Sequence, residues 1–402
     1  MIRVAFTLID GKRWTGGYNY LLNLLRALSD HASGRVQPVL YLGDDVGDDD
    51  FSAFKALPSV EIVRSPYFNA ALTRERLRHA VLSGIDRSAV CEFEKQGTDV
   101  IFEAAQFYGW RLRIPAIAWV PDFQHRYLRE LFGFGSYWRR ELGFRAQVWS
   151  GRHVMLSSED ARRDCERFYP ASRGRTQVVR FAIEPSDVTP AQSRAIADHY
   201  HLPDTFFFLP NQFWVHKNHE CVVQALGLLS AKGIRIVVAA SGLQADVRRP
   251  DYFRRLQTQI RDAGLERSFL LLGLIPHDHV LALMRSCAAL INPSAFEGWS
   301  TTVEEAKSMG TPMLLSSLEV HREQAAARAL YFDKNSPQEL ATILASFRPL
   351  SAPERGQLAQ ESRIWAADAV RRFADEFCEL AESAARSRQS SKRTVLPGQI
   401  ET

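Results

Sequence analysis

Short apolar runs alternate with helical patterns along almost the whole chain of 402 residues. Most runs are continuous stretches of Val, Ile, Leu and Phe, which is typical of parallel strands buried on both faces. The first half is expected to form the strands Arg3–Ile9, Pro38–Leu42, Val60–Val63, Val100–Glu103, Ala116–Val120, His153–Ser157 and Gln177–Phe181. The second half is expected to form Phe206–Leu209, Ile234–Ala240, Phe269–Leu274, Ala288–Ile291, Met313–Ser316 and Leu330–Phe332. This alternation predicts an α/β protein with two parallel, doubly wound sheets.

A linker between the two series is expected at Glu184–Pro190, which has two prolines and no apolar pattern. The chain then divides into an N-terminal domain of residues 1–184 and a C-terminal domain of residues 185–365. A helical pattern over Leu358–Ala385 predicts a long final helix. The Ser-, Arg- and Lys-rich segment 387–402 is predicted to be disordered.

The composition excludes several classes of protein. No apolar run approaches the roughly 18 residues that a membrane-spanning helix needs. The net charge of +4 is too small to indicate a nucleic-acid binder, although it is compatible with a phosphate-bearing substrate. The five cysteines are scattered, which argues against a disulfide framework or a zinc site and favours a reducing compartment. The first residues have no signal-peptide layout, so a cytoplasmic location is expected.

The stretch Ile291–Ser317 places two carboxylates near the carboxyl end of an expected strand. Glu297 lies in a loop, and Glu305 lies about one turn into the helix that follows, before Gly310 ends that helix. Open parallel sheets bind ligands at the carboxyl ends of their strands. A structural interpretation is also open, because Thr302 and Glu305 match a capping box and Glu297 could be an exposed loop charge.

The string Glu-Gly-x-Ser-x-x-x-x-Glu-Ala-x-x-x-Gly-x-Pro, from Glu297 to Pro312, resembles the donor-site signature of retaining glycosyltransferases. The resemblance is strongest to family 4 with its Glu-x7-Glu motif, and it covers most of the second half and scattered anchors in the first. It implies the GT-B fold, with two Rossmann-like domains facing a cleft. The donor site would lie in the C-terminal domain and the acceptor site in the N-terminal domain, to which residues 366–386 would return.

A second anchor of the resemblance follows the first strand of the second half. Lys217 matches the family lysine that holds the donor diphosphate. Family members also have an arginine five or six residues earlier, where this chain has Gln212 or Asn211. The missing charge would then come from His216, Arg180 or another residue.

Gly16 and Gly17 lie between the first expected strand and the first expected helix. Two glycines in such a loop let the backbone approach a ligand, and the helix N-terminus favours a phosphate. A tight turn between strand and helix also needs glycine, so the pair alone does not define a site. The resemblance implies that it helps to hold the donor diphosphate.

Asp122 and His125 follow a strand of the first half and resemble the family's His-Asp segment at the reaction centre. The chain departs from the family here, because Pro121 stands where the histidine is usual. Either side chain could contact the transferred sugar or position the acceptor hydroxyl. Equally, Asp122 could belong to a proline-initiated turn and His125 to an exposed helix start.

The resemblance implies a donor site of many residues, in which Glu297 orients the sugar and Glu305 holds the ribose. The expected donor contacts are Gly16, Gly17, Asn211, Gln212, Lys217, Gly242, Ile275, Glu297, Gly298, Trp299, Ser300, Thr301, Thr302 and Glu305. The catalytic candidates are Lys217, Glu297, Asp122 and His125.

Two further segments bear on cofactors and partners. The acidic run Gly43–Asp50 contains an Asp-x-Asp, which could hold a divalent metal. It has no His or Glu nearby, so we expect a solvated loop and predict no metal and no cofactor. Arginines alternate with aromatic residues between Arg126 and Arg145, which would suit a membrane surface or a lipid-phosphate acceptor, or simply a helical wall.

Together these features predict a retaining, metal-independent glycosyltransferase. It would move a hexose-like sugar from a nucleotide diphosphate sugar to a glycan or lipid-linked acceptor, in bacterial-type cell-surface polysaccharide or glycolipid assembly. A peripheral contact with the inner membrane face is a further option, and no nucleic-acid partner is expected. Two alternatives stay open: a sugar-nucleotide epimerase of the GT-B fold, and a sugar-nucleotide binding protein without catalysis.

Overall fold

The computed structural model describes residues 1–12, 14–104 and 106–393, with side chains as far as Ser387. Contacts divide the chain into two compact units. The first unit contains Met1–Phe123, Phe134–Ala182 and the chain from Val370 on, and the second contains Gln124–Gly133 and Ile183–Ala369. A short segment of the expected N-terminal domain therefore groups with the second unit.

The first unit contains a seven-stranded parallel sheet. Its strands are β1 Ile2–Thr7, β2 Val36–Leu42, β3 Glu61–Arg64, β4 Val100–Ala104, β5 Ala116–Trp119, β6 His153–Leu156 and β7 Thr176–Val178. Their order is β3-β2-β1-β4-β5-β6-β7. The order reverses direction beside β1, so the carboxyl ends of β1 and β4 flank the point where such sheets bind ligands.

The second unit contains a six-stranded parallel sheet of the same kind. Its strands are β8 Phe207–Leu209, β9 Val238–Ser241, β10 Phe269–Gly273, β11 Leu290–Asn292, β12 Met313–Ser316 and β13 Ala329–Phe332. Their order is β10-β9-β8-β11-β12-β13, so β8 and β11 are neighbours. The fold prediction of two Rossmann-like parallel sheets is confirmed, and each expected strand is present with its ends shifted by at most a few residues.

Helices connect the strands in both units. They are α1 Thr15–His31, α2 Asp48–Lys55, α3 Thr73–Leu82, α4 Arg87–Lys95, α5 Gln124–Tyr127, α6 Phe134–Trp149, α7 Glu159–Phe168, α8 Pro190–His199, α9 His219–Ser230, α10 Tyr252–Asp262, α11 His277–Ser286, α12 Thr301–Met309, α13 Glu319–Ala325, α14 Pro337–Ser346 and α15 Ala352–Arg393. Among the described residues, no helix combines the length and the apolarity that a bilayer crossing requires.

Alternate side chains of β8 illustrate why the second sheet is buried on both faces. Phe207 and Leu209 pack with residues of α9 and α14, whereas Phe208 packs with residues of α11 and α12. Successive side chains of a strand point to opposite faces, so one continuous apolar run serves two cores. Burying each of these side chains contributes about 1.5–3 kcal/mol. This rigid sheet fixes where the loops after β8 and β11 begin.

The final helix α15 is shared by the two units. Its Phe373 contacts the ring of Tyr20 at 5.7 Å, and its Phe377 contacts Phe6 at 5.7 Å in the first unit. The helix extends beyond the expected end at residue 385, because no glycine or proline occurs between residues 385 and 393. The predicted disorder from residue 387 is therefore not seen as far as 393, and residues 394–402 lie outside the described residues.

Candidate functional site

The loops after β8 and β11 bring Lys217 and Glu297 into an ion pair. The Nζ atom of Lys217 lies 2.6 Å from Oε1 of Glu297, and their side chains are only 13% and 7% exposed. Asn218 turns the chain from the lysine into α9 in the left-handed region, at φ 56°. Its Nδ2 donates to the carbonyl of Pro293 at 3.1 Å, which ties the two loops together.

The ion pair determines the charge state of Glu297. Burial by itself raises the pKa of this carboxyl group, but the charge of Lys217 and hydrogen bonds from Lys217 and Ser294 outweigh it, so the pKa lies below its usual value. Glu297 is therefore ionised at neutral pH and accepts hydrogen bonds. It is suited to orient sugar hydroxyls, because an ionised carboxylate accepts at both oxygens.

Asn292, the last residue of β11, organises the floor of the site. Its Oδ1 accepts from Nδ2 of Asn211 at 3.2 Å, and its Nδ2 donates to the Ser300 hydroxyl at 2.9 Å. The hydroxyl of Ser294 lies 2.7 Å from this Oδ1 and 2.7 Å from Oε1 of Glu297. Sequence reasoning missed Asn292, although Asn211 stands at the corresponding end of the neighbouring strand, and that equivalence was the available signal.

The N-terminus of α12 is open rather than closed by a capping box. Ser300 occupies the N-cap, and its side chain makes no cap hydrogen bond. Gln324 holds this residue from both sides, because Oε1 accepts from its amide at 3.2 Å and Nε2 donates to its carbonyl at 2.7 Å. The first amides of α12 can therefore receive an anion, as expected for a helix N-terminus.

Glu304 and Glu305 have different surroundings. Glu304 is buried and accepts from Nζ of Lys307 at 3.0 Å, so it serves the structure of α12. Glu305 is 2.8 Å from Nε2 of His277, the first residue of α11. The hydrogen bond that His277 donates to Glu305 raises the pKa of His277 above its usual value, although partial burial opposes this. His277 is a neighbour of the expected ribose site that sequence reasoning did not single out.

Two histidines beside Lys217 are neutral. Burial lowers the pKa of His216 to about 3, with a further contribution from the charge of Lys217. Burial likewise lowers the pKa of His219 to about 3. The ring of His219 stacks on Phe213 at 4.4 Å and its Nε2 lies 3.3 Å from the carbonyl oxygen of Asn211. Neither ring brings positive charge to the site near neutral pH.

The other donor candidates lie at the same edge of the second sheet. Ile275 follows β10, Gly298 and Trp299 lie in the loop after β11, and Thr301 and Thr302 form the first turn of α12. This edge therefore collects the carboxyl ends of four neighbouring strands, as ligand sites in parallel sheets require.

Gly242 lets the loop after β9 pass close to the loop after β8. Its φ is 149°, and a Cβ atom there would lie 2.5 Å from the carbonyl oxygen of Asn211. Beside it, the amide of Leu243 donates to Oε1 of Gln212 at 2.6 Å. Gln212 therefore holds this contact between the two loops.

Replacing Gly242 by alanine is expected to lower the free energy of unfolding by about 3 kcal/mol, because the new methyl group meets backbone atoms. The matched control is Gly233→Ala. Gly233 also has a positive φ, at 73°, but a Cβ atom there would meet nothing within 4 Å. Urea unfolding of both variants measures the difference, and equal costs would contradict the close approach.

In the first unit, Gly16 and Gly17 do not form a loop. Both lie in the first turn of α1, which begins at Thr15, so the expected loop position is wrong. A Cβ atom on Gly17 would lie 2.4 Å from the ring of Trp14, which stacks on Trp119 at 5.3 Å. The glycine is needed because this indole covers the helix start. The N-terminus of α1 has no side-chain cap, so its amides remain candidates for a phosphate contact.

Three polar candidates follow strands of the first sheet. Asp122 and His125 come after β5, and Arg180 comes after β7. Oδ1 of Asp122 accepts from Nη1 of Arg140 at 2.9 Å, and this carboxylate is partly exposed. His125 is fully buried in α5, rather than lying on an exposed helix start. Arg180 lies 3.6 Å from Glu159 and 3.9 Å from Glu376, so carboxylates already surround it in the first unit.

The acidic run after β2 is used to shape a turn and a helix start. Asp45 accepts from the amide of Ala70 at 2.8 Å, and Asp50 lies 2.8 Å from Nζ of Lys12. The described residues contain no group of three or more His, Cys, Asp or Glu side chains arranged to hold a metal ion. The expected solvated loop is present only in the first part of the run, since Asp48, Asp49 and Asp50 form the first turn of α2.

The fold is similar to the GT-B fold of glycosyltransferases of known structure. HepE of Anabaena, solved with UDP and glucose, superposes with a TM-score of 0.66 at 15% identity, over 95% of this chain and 100% of that one. A sucrose-phosphate synthase of Thermosynechococcus elongatus superposes with a TM-score of 0.61 at 14% identity, over 98% and 99% of the two chains. At these identities the similarity establishes the fold.

A family model and two curated relatives match parts of the chain. Residues 193–364 match the family model described as glycosyl transferases group 1. The serotype-specific mannosyltransferase WbdA of Escherichia coli is 24% identical over 225 residues, which are 54% of this chain and 27% of that protein. The O-antigen chain mannosyltransferase RfbU of Salmonella typhimurium is 21% identical over 199 residues, which are 50% and 52% of the two proteins. The chain thus aligns with about half or less of the length of these relatives.

Proposed function

We propose that this chain is a retaining glycosyltransferase of family 4 that transfers a hexose-like sugar from a nucleotide diphosphate sugar to an acceptor hydroxyl. The observation that carries the proposal is the buried Lys217–Glu297 ion pair at the carboxyl ends of β8 and β11. It lies within the segment that matches the group 1 model. The mannosyltransferase relatives support a hexose as the sugar, and the nucleotide bound to HepE supports a nucleotide donor.

In this proposal the second unit binds the donor. Lys217 contacts the diphosphate together with the open N-terminus of α12, Glu297 accepts hydrogen bonds from the sugar hydroxyls, and Glu305 accepts from the ribose hydroxyls. The remaining contacts with the donor come from Asn211, Gln212, Gly242, Ile275, Gly298, Trp299, Ser300, Thr301 and Thr302. The amides of Gly16 and Gly17 remain a further phosphate contact within the proposal.

The chemistry requires stabilisation of the departing diphosphate more than a strong base. The bond from the anomeric carbon to the phosphate oxygen breaks, and a bond to the acceptor oxygen forms on the same face of the sugar. The acceptor proton passes to the leaving phosphate oxygen, so no protein nucleophile is required. We assign no metal to this step. Asp122 or His125 would position the acceptor or the sugar. We favour Asp122 for this role, because its side chain is partly exposed and a ligand can reach it.

A cavity in the first unit is the proposed acceptor site. It has a volume of about 460 Å³ and lies at the carboxyl ends of β1 and β2. Tyr18, Tyr41 and Phe68 provide aromatic lining, and such rings commonly pack on sugar faces. The charged side chains among its described lining residues are Asp10, Lys12, Asp45, Asp49, Asp50 and Arg76. Carboxylates outnumber cations in this set, so we propose that the sugar end of the acceptor is an uncharged glycan.

We further propose a cytoplasmic location with a peripheral contact to the membrane. One face of α6 supports the membrane contact. Phe134, Trp138, Leu142 and Trp149 are 75%, 39%, 55% and 72% exposed, and their spacing places them on one side of the helix. Arg139 is exposed beside them. Aromatic and apolar side chains next to arginine are suited to the surface of an anionic bilayer.

Purified protein is therefore expected to float with liposomes of anionic lipid at low salt, and the double variant Trp138→Ser, Leu142→Ser is expected to lose most of this binding. Each apolar side chain buried in the interface contributes about 1–3 kcal/mol. The control is Leu82→Ser, Trp110→Ser, which removes the same residue types from exposed positions elsewhere in the first unit. Failure of the wild-type protein to float, or equal binding by both double variants, would contradict the membrane contact.

A screen separates the proposed function from its alternatives. The protein is incubated with UDP-, GDP-, ADP- and dTDP-sugars with and without a glycan acceptor, in buffer with EDTA, and the products are identified by mass spectrometry and NMR. Transfer with retained anomeric configuration supports the proposal. Conversion of the donor sugar without acceptor would indicate an epimerase, and tight nucleotide binding without turnover would indicate a binding protein.

A further inference from the structure

Arg248 contacts His216, the residue that precedes the donor-site lysine, without being near it in sequence. It belongs to the loop between β9 and α10, and its Nη2 is 3.3 Å from Nδ1 of His216. The same loop is fastened to the turn that carries Lys217, because Oδ2 of Asp246 accepts from the amide of Val215 at 3.1 Å. Arg248 and Lys217 therefore flank the same histidine from two loops that are joined to each other.

The positions that the sequence suggested for a second positive charge at the diphosphate do not supply one. Asn211 and Gln212 stand where an arginine was expected, and both are uncharged amides already used in contacts between loops. Burial lowers the pKa of His216 to about 3, so this ring is neutral. Arg180 has carboxylates on both sides within the first unit. The charge of Lys217 itself is balanced by Glu297.

The guanidinium group of Arg248 is held in place but keeps hydrogen-bonding capacity. Nη1 donates to Oε1 of Gln124 at 2.8 Å, and the group lies over the rings of Phe132 and Trp214 at 5.6 Å and 5.8 Å. An arginine has five N–H donors, of which these contacts and His216 use two. The side chain is 27% exposed, so an anionic ligand can reach it.

Asp246 does not cancel this charge through a hydrogen bond. Its carboxylate accepts from the amides of Val215 at 3.1 Å and Arg248 at 2.9 Å, so it is already satisfied by the backbone. The closest guanidinium atom, Nε of Arg248, lies 3.6 Å away, which is too far for a hydrogen bond. Asp246 thus orders the loop and forms an ion pair with Arg248 at 3.6 Å without taking up one of its N–H donors.

We propose that Arg248 is the second cation of the donor site and binds phosphate oxygens of the donor diphosphate opposite Lys217, an assignment that rests on the proposed function. A planar guanidinium matches phosphate geometry and makes charge-assisted hydrogen bonds. The positive charge that family members place directly after β8 is supplied in this chain from the loop after β9. Gln124, Phe132 and Trp214 position it.

Calorimetric titration with UDP, GDP, ADP and dTDP, and with the corresponding monophosphates, tests the assignment. Arg248→Met is expected to weaken the binding of the tightest-binding nucleoside diphosphate about 10- to 100-fold, because a charge-assisted hydrogen bond to the second phosphate is lost. Binding of the corresponding monophosphate is expected to weaken much less. Arg248→Lys, which keeps the charge but not the fork, is expected to lie between. The control is Arg249→Met, since Arg249 is exposed on the same loop and its side chain donates to the carbonyl of Glu130 at 3.0 Å.

Diphosphate binding by Arg248→Met within threefold of the wild-type protein would overturn the assignment. Equal losses for diphosphate and monophosphate would overturn it too, because that pattern is expected from a disturbed loop. If Arg248→Met does not fold, the same two comparisons are made on Arg248→Lys. The proposal would then be overturned if Arg248→Lys binds the diphosphate as tightly as the wild-type protein and with the same preference over the monophosphate. A wild-type protein that binds none of the nucleotides would instead refute the proposed function.

Discussion

The Lys217→Ala variant is expected to transfer sugar about a thousandfold more slowly than the wild-type protein, because the departing diphosphate loses its main fixed positive charge. Initial rates with saturating donor and acceptor measure the effect. Lys232→Ala is the matched control, since Lys232 is an exposed lysine at the opposite end of α9. A Lys217→Ala rate within tenfold of the wild-type rate would show that the diphosphate does not depend on this lysine.

Loss of activity in this variant must be separated from loss of the fold. Removing the lysine leaves Glu297 as a buried unpaired charge, and breaking one partner of a buried pair costs about 3–5 kcal/mol. The double variant Lys217→Met, Glu297→Gln removes both charges and is expected to regain most of this stability. It should remain inactive, and recovered stability without recovered transfer would show that the loss of activity does not come from loss of the fold.

The Glu297→Ala variant is expected to abolish measurable transfer, because the sugar loses its orienting carboxylate and Lys217 loses its partner. Glu297→Gln keeps the shape and is expected to retain a small residual rate. Glu266→Gln, at an exposed loop position far along the chain, is the control for a simple loss of charge. A Glu297→Gln rate near that of the wild-type protein would show that the ionised carboxylate is not required.

The same pair predicts how stability depends on pH. The folded-state pKa of Glu297 lies below its usual value of 4.5, so the pair stabilises the fold fully above that pH. The contribution is lost as the pH falls below 4.5 through the folded-state pKa. The Tm of the wild-type protein should therefore fall more steeply in acid than that of the Glu297→Gln variant.

The strands were predictable because burial on both faces of a sheet requires continuous apolar runs. Each strand of the structure coincides with one of these runs. The position of Gly16 and Gly17 was not predictable in the same way. Two glycines before a helix suggest a loop, whereas here Gly17 makes room for the indole of Trp14 inside the helix. The reason is a contact with a bulky neighbour, which no local pattern reveals.

At the site, the sequence pointed to Lys217 and Glu297 separately through a family pattern. It could not show that they form one ion pair, because 80 residues separate them and only the adjacency of β8 and β11 joins them. Arg248 was hidden for a similar reason. Its position depends on Asp246 binding the backbone of a different loop, and a single carboxylate between β9 and α10 gives no sequence signal of that role.

The helix α15 has a consequence for the order in which the chain can acquire its structure during synthesis. The first unit contains the start of the chain, but the phenylalanines that cover Phe6 and Tyr20 come after residue 370. The second unit is complete at Ala369. The first unit therefore becomes complete only after the second, and until the chain beyond residue 370 has been made, Phe6 and Tyr20 lack the cover of this helix.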